Sequence, residues 1–156
     1  LWLKGAADSN SSGLNKVSWL NKNGRFYTQT SPVDINEGFL FTQIGANDPN
    51  FNLRNEHSVI RRVTDKKHHR FVSVLEPHGD YNPSKEYTLD ATSKVSGLKL
   101  TENDNLLLGQ IDVAKVSYLV AINQNEEVGS SARHFTYQNQ NYSLNGRLAV
   151  YVLNTQ

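Results

Sequence analysis

Val17-Ser18-Trp19-Leu20 and Phe26-Tyr27-Thr28-Gln29 flank Asn23-Gly24. Aromatic and β-branched residues fill both runs, and Asn-Gly is the dipeptide that best supplies two consecutive positive φ angles to a type I′ turn. The stretch therefore reads as an antiparallel hairpin closed by a tight two-residue turn across Lys22-Asn23-Gly24-Arg25. Outward from it, no window of about 11 residues keeps apolar positions at helical spacing without an intervening Gly, Pro or Asn. Strands have to carry the fold.

Further strands are expected at Phe39 to Ile44, Ser58 to Val63 and Arg70 to Leu75, with Thr64-Asp65-Lys66-Lys67-His68-His69 as the charged tip between the last two. Glu76-Pro77 should end the third, since proline donates nothing to a ladder. Lys85 to Leu89 is a weaker strand. Val116, Tyr118, Val120 and Ile122 alternate with Ser117, Leu119 and Ala121 as in a strand buried on one face, and this period of two excludes a helix between Leu106 and Ile122. Arg133 to Gln138 and Tyr142 to Leu144 form a second hairpin across Asn139-Gln140-Asn141. Arg147 to Leu153 is apolar on both faces, the pattern of a strand in the middle of a sandwich or at a domain junction. Short strands punctuated by Asn- and Gly-rich turns give an all-β antiparallel β-sandwich, with residues 1–156 as a single domain. Asp8-Ser9-Asn10-Ser11-Ser12-Gly13 reads as a flexible loop.

The composition narrows the function. Sixteen Lys and Arg stand against 15 Asp and Glu, which lacks the cationic excess that a nucleic-acid partner requires. With no cysteine, disulfides, thiolate nucleophiles and thiolate-bound metals drop out. No apolar run approaches the roughly 18 residues of a membrane span, and Leu1-Trp2-Leu3-Lys4-Gly5 lacks the order of a signal peptide, so no membrane partner is expected. Methionine is absent and the chain opens on a strand-like apolar triplet, which suggests a piece of a longer polypeptide.

Four places carry candidate chemistry. His57, His68, His69 and His78 invite a metal, but no pair stands at ligand spacing, and His68 and His69 would point to opposite faces in a strand. A plain surface role is preferred for those two, and neither a metal nor a cofactor is assigned. Arg61 to Arg70 holds five permanent cations, a field suited to a carboxylate-rich polymer, although a solvated hairpin tip explains it equally. The polar loop Gly45 to Glu56 contains Asn47, Asn52 and Arg54. Asp48-Pro49 forces a turn there, and the Arg54 guanidinium offers a planar fork to a carboxylate. His78 follows a strand end, where side chains often reach a cleft. Asn47, Asn52, Arg54 and His78 are thus the candidate substrate-binding residues. The plainer alternative has the loop polar groups bonding one another and Arg54 pairing with an internal acid.

At these residues the chain resembles the C-terminal region of oligoalginate lyases, polysaccharide lyase family seventeen, within the heparinase II/III-like group. The resemblance rests on Arg25-Phe26-Tyr27-Thr28-Gln29-Thr30, on Ile44 to Glu56 and on Phe71-Val72-Ser73-Val74-Leu75-Glu76-Pro77-His78-Gly79. It covers most of positions 1 to 90 and fades after Tyr87. It implies an N-terminal α/α toroid followed by an antiparallel β-domain, periplasmic or secreted. The implied reaction is exolytic β-elimination on alginate, an acidic polysaccharide. Such chemistry needs donors that neutralise the uronate carboxylate, a base for the C5 proton and an acid for the departing O4. The family places these groups ahead of the matched region, so no catalytic residue is carried onto this chain; Tyr27, Tyr81 and Tyr87 lie in no catalytic motif.

Two functions follow. One is the C-terminal β-domain of an alginate lyase, inactive alone, which should expose an apolar junction surface. The other is a non-catalytic carbohydrate-binding β-sandwich, which should present an aromatic platform such as Trp19 or Tyr81. A structural β-domain without a sugar ligand is a third class, because fold alone decides no function.

Overall fold

A computed structural model describes residues 2–4, 13–21, 23–45, 55–125 and 131–153. Every regular element among them is a strand: β1 (Trp2–Lys4), β2 (Leu14–Leu20), β3 (Arg25–Pro32), β4 (Glu37–Gly45), β5 (Asn55–Val63), β6 (Val74–Asn82), β7 (Tyr87–Leu89), β8 (Val95–Asn103), β9 (Leu106–Val113), β10 (Val116–Asn123), β11 (Arg133–Tyr137), β12 (Gln140–Leu144) and β13 (Leu148–Leu153). The fold is all-β and antiparallel, of the β-sandwich class expected from the alternating runs. The chain forms two compact units, Leu1–Lys16 with Ser31–Val74, and Val17–Thr30 with Leu75–Gln156.

In the first unit the sheet order is β1-β4-β5. Trp2–Lys4 of the opening stretch form a strand, pairing Trp2 with Leu40, and β4 lies against β5 from Glu37↔Val63 to Gly45↔Asn55. The polar loop that joins β4 to β5 falls at residues 46–54, outside the described residues. β5 and β6 belong to different sheets, so the charged stretch between them is not a hairpin tip. Arg70 to Ser73 is not strand either, and β6 starts only at Val74. The Val72 carbonyl accepts a hydrogen bond from Arg61 Nη1 at 2.8 Å instead of entering a ladder. Nor does Pro77 end the strand. β6 runs on to Asn82 and pairs with β7 only from Asp80 to Asn82, so the proline sits where there is no β7 ladder to interrupt.

In the second unit, β2-β3-β6-β7 form one sheet and β13-β10-β9-β8 another, while β11 and β12 form a separate hairpin. This hairpin covers one face of the second sheet. Phe135 and Leu144 pack with Leu106, Leu108, Leu119, Ala121 and Leu153, and Tyr142 and Tyr151 close the edge of this core. Two layers around one apolar centre are the minimum that lets a sheet hide a face.

Two features of this sheet go beyond the sequence pattern. On β10 the deeply buried residues are Leu119 and Ala121, not the Val116, Tyr118, Val120 and Ile122 set. Both sets are apolar, so the pattern showed the period without showing which face was covered. β13 is an edge strand rather than a central one, and Leu148, Val150 and Val152 are 57–65% exposed.

The turns also differ from the reading of the dipeptides. β2 and β3 are neighbours, but Asn21 N donates to Arg25 O at 2.8 Å and Gly24 N to Asn21 O at 2.9 Å, so the hairpin closes through Asn21 and Arg25 and not through a two-residue turn between Lys22 and Arg25. Gly24 takes a positive φ, +79°, and Asn23 does not; the Asn23 side chain instead accepts from the Arg25 amide at 3.0 Å. Turns with two positive φ angles occur elsewhere: Asp104-Asn105 joins β8 to β9 (44° and 61°), and Gln138-Asn139 joins β11 to β12 (48° and 62°). The latter lies one residue upstream of the expected loop.

Gly79, at φ +55°, is the tightest point on β6. A Cβ there would collide with the carbonyl oxygens of Asp90 and Leu89, which are fixed backbone and cannot swing away. Gly79→Ala is expected to destabilise the second unit by about 2 kcal/mol or more, combining left-handed strain with the steric clash. Urea denaturation followed by circular dichroism checks this, and an unchanged midpoint would contradict it.

Candidate functional site

The sequence-selected residues divide sharply. Asn47, Asn52 and Arg54 lie outside the described residues. His78 lies within them and is 6% exposed. Its Nε2 is 2.8 Å from Thr28 Oγ1 and its Nδ1 is 2.9 Å from the Asp90 carbonyl oxygen. A carbonyl only accepts, so Nδ1 carries a proton. In the neutral ring Nε2 then accepts from the Thr28 hydroxyl. Thr28 Oγ1 is in turn 2.7 Å from Ser18 Oγ. Both ring nitrogens are engaged, and the chain Ser18, Thr28, His78 links β2, β3 and β6 through one face of their sheet. Phe26 stacks near the imidazole with centroids 6.1 Å apart.

The opposite side of the β2-β3 hairpin carries different chemistry. Trp19 and Tyr27 stack at 5.8 Å with planes 13° apart, one residue along each strand from the Ser18–Thr28 contact. Successive side chains alternate between faces, so the aromatic pair points away from His78. Trp19 is 39% exposed, and Arg25, two residues from Tyr27, is exposed as well. Tyr81 is half-buried, and its amide donates to the Gly24 carbonyl at 2.7 Å.

The densest charged cluster was not anticipated. At the start of β4, the Glu37 carboxylate is almost wholly buried, its side chain 3% exposed. Arg61 grips it from β5, with Nε 2.9 Å from Oε2 and Nη2 2.8 and 2.6 Å from the two oxygens. His69 Nε2 stands 2.8 Å from Oε1. Phe39 and Phe71 wall in the guanidinium, whose central carbon lies 5.8 and 5.1 Å from their ring centroids. Phe71 also meets His69 edge-on at 4.7 Å. His69 is therefore not the plain surface residue that its neighbour His68 is. Asp34 completes the group through an Asx-turn, accepting from Asn36 N at 2.8 Å. That hydrogen bond holds its carboxyl below the usual aspartate range.

Asp34, Glu37 and His69 bring one potential ligand atom each within 4.8 Å of one another. The Arg61 guanidinium already occupies both Glu37 oxygens, however, and a metal ion would have to displace it. The cluster is a neutralised ion network that fixes the path of residues 61–72. A similar device works in the second unit at Glu76. Partial burial would raise its pKa, but the Ser93 hydroxyl (2.6 Å) and the Lys94 and Val95 amides outweigh this and hold it below its ordinary value.

Comparison with known proteins finds relatives among the alginate lyases. No family model matches the chain. It is 38% identical over 133 residues to an exo-oligoalginate lyase of Saccharophagus degradans, which covers 81% of this chain and 18% of that enzyme. It is 32% identical over 146 residues to an alginate lyase of Stenotrophomonas maltophilia, covering 94% of this chain and 19% of that protein. The chain is a relative of the alginate lyases over part of their length. It spans about a fifth of the relatives it matches.

In this alginate lyase relative, the Glu37 network was missed for a clear reason. Glu37 and Arg61 are 24 positions apart and meet only through the β4–β5 register, in which Arg61 pairs with Phe39 and Glu37 with Val63. A local signal existed in Asp34-Ile35-Asn36-Glu37, a turn sequence leading a carboxylate into a strand, but nothing in it names the partner.

Removing one member of a buried ion pair strands the other. Arg61→Met is expected to destabilise the first unit by about 3 kcal/mol, and the double variant Arg61→Met, Glu37→Leu should recover most of that loss. Denaturant midpoints for the two variants and the wild type test this; additive losses would show that the pair is not coupled.

Proposed function

We propose that this chain is the C-terminal β-region of an alginate or oligoalginate lyase, periplasmic or secreted, that works by β-elimination, and that the chain alone is inactive. The observation that carries this reading is the identity of 32–38% with alginate lyases over nearly the whole chain but under a fifth of their length. In this reading a toroidal N-terminal domain of the same polypeptide supplies the base and the groups that neutralise the uronate carboxylate. The β-region forms the rest of the enzyme body. The exposed row Leu148, Val150 and Val152 on β13 supports the reading, since an apolar strand edge is usually covered in the finished protein.

Asn47, Asn52 and Arg54 fit in as contacts to the far end of the oligosaccharide or to the domain junction, with Arg54 holding a uronate carboxylate through two parallel hydrogen bonds. His78, with both nitrogens engaged, supports its own sheet and is not proposed as a contact. A second reading, a non-catalytic carbohydrate-binding module, draws on the exposed Trp19–Tyr27 stack.

The isolated chain should release no unsaturated uronate from alginate, read as the ultraviolet absorbance of the conjugated double bond, whereas the full-length protein should. Enzyme-dependent growth of that absorbance with the isolated chain would overturn the proposal. In the full-length enzyme Arg54→Lys keeps the charge but loses the fork, and kcat/KM should fall roughly tenfold, about 1.4 kcal/mol of transition-state stabilisation. If the variant instead melts earlier with unchanged kinetics, Arg54 belongs to the scaffold.

A further inference from the structure

We infer that the outward face of the β2-β3 hairpin, built on Trp19, Tyr27 and Arg25, is a binding platform for an anionic uronate oligosaccharide. The inference rests on the lyase reading for the identity of the sugar, but its geometry is independent of that reading.

The hairpin register places the residues. Asn21 meets Arg25 through a backbone hydrogen bond, and Ser18 meets Thr28 through their hydroxyls. Trp19 therefore lies across from Tyr27, as their stacking confirms. Alternation then puts Asn21 and Arg25 on the same side as Trp19 and Tyr27, while Ser18 and Thr28 face His78. An aromatic pair, an amide and a guanidinium share one exposed strip.

A cross-strand aromatic pair can exist only to hold a hairpin together, contributing up to about 1 kcal/mol. That role is satisfied by contact between the two rings and gives no reason to leave the larger ring at 39% exposure, nor to set a cation beside it. The sugar reading accounts for both. The C–H face of a pyranose packs on an indole, and the indole N–H can bond a hydroxyl at the ring edge. Two residues along a strand span about 7 Å, roughly the size of one sugar ring. A uronate seated on the Trp19–Tyr27 stack thus brings its own carboxylate, or its neighbour's, within reach of Arg25, which can take it through a bidentate pair. A neutral glycan would use the ring and waste the cation, so the charge selects the uronate.

The test uses the full-length protein and alginate oligosaccharides of increasing length, with binding measured by isothermal titration calorimetry at low and high salt. Trp19→Ala is expected to weaken binding of the longer oligosaccharides at least tenfold. Arg25→Gln should weaken them severalfold and remove part of the salt dependence, whereas Trp19→Phe retains most of the affinity. Arg25 is exposed, so its variant reports on binding without loss of fold. A neutral mannan oligosaccharide should bind at least tenfold more weakly than alginate of equal length. If Trp19→Ala and Arg25→Gln both bind alginate as the wild type does while the wild type still cleaves it, the platform is refuted and the lyase reading stands. If the platform variants lose alginate binding but the wild type forms no unsaturated product, the platform stands and the lyase reading falls.

Discussion

A carboxylate held almost completely out of water has to be met by charge from within the chain, and the first unit is arranged around that requirement at Glu37. Burial of an ion costs several kcal/mol unless good geometry and hydrogen bonds offset it. Here the offset comes from a forked guanidinium and an imidazole. The consequence reaches along the backbone. Because Arg61 also binds the Val72 carbonyl and His69 has to reach the same carboxylate, the ten or so residues after β5 cannot form the return strand of a hairpin. They cross to begin β6 in another sheet. The run of cations that looked like a field for a polyanion is thus divided: Arg61 serves the interior, while Lys66 and Lys67 remain at the surface.

The second unit answers to a different constraint. Its four-stranded sheet is apolar on both faces: the β11-β12 hairpin covers one, while on the other Leu98 of β8 is buried and Leu148, Val150 and Val152 of β13 are exposed. On that second face Tyr118 lies across from Val152 and Val120 across from Val150, with the β10 side chains half-buried and those of β13 exposed. A sheet of this composition is built to be enclosed. The chain spans about a fifth of the length of the lyase relatives it matches. The exposed Trp19 strip is of another kind, small, mixed with polar groups and flanked by a cation. Apolar patches suit large partners, and aromatic strips with a positive charge suit acidic sugars.

Much of the architecture was legible in the residues. Alternation along Val116 to Asn123, aromatic and β-branched runs around Asn23-Gly24, and the absence of any helical period all report backbone geometry, which neighbouring residues set locally. The lyase kinship was legible for a related reason: motifs such as Arg25 to Thr30 and Phe71 to Gly79 are contiguous. β8 and β9 were not singled out, because Leu98, Leu100, Leu106 and Leu108 alternate with residues too varied to mark an edge. The Asn23-Gly24 turn reads as type I′, yet Asn23 uses its side chain to cap Arg25 instead of adopting positive φ.

What the sequence by itself determined is the set of local preferences: strands rather than helices, hairpins at the Asn-rich turns, no disulfide, and kinship with part of an alginate lyase. Tertiary structure alone decided which face of each strand is covered, since a period of two is the same for both parities. It also decided which of the dispersed ionic residues meet. Glu37, Arg61 and His69 come together through strand register and a chain reversal, and His78 becomes a buried tie because Thr28 and the Asp90 carbonyl, 50 and 12 positions away, arrive on either side of its ring. Contacts of that separation depend on how sheets pair in space, and no spacing along the chain encodes them.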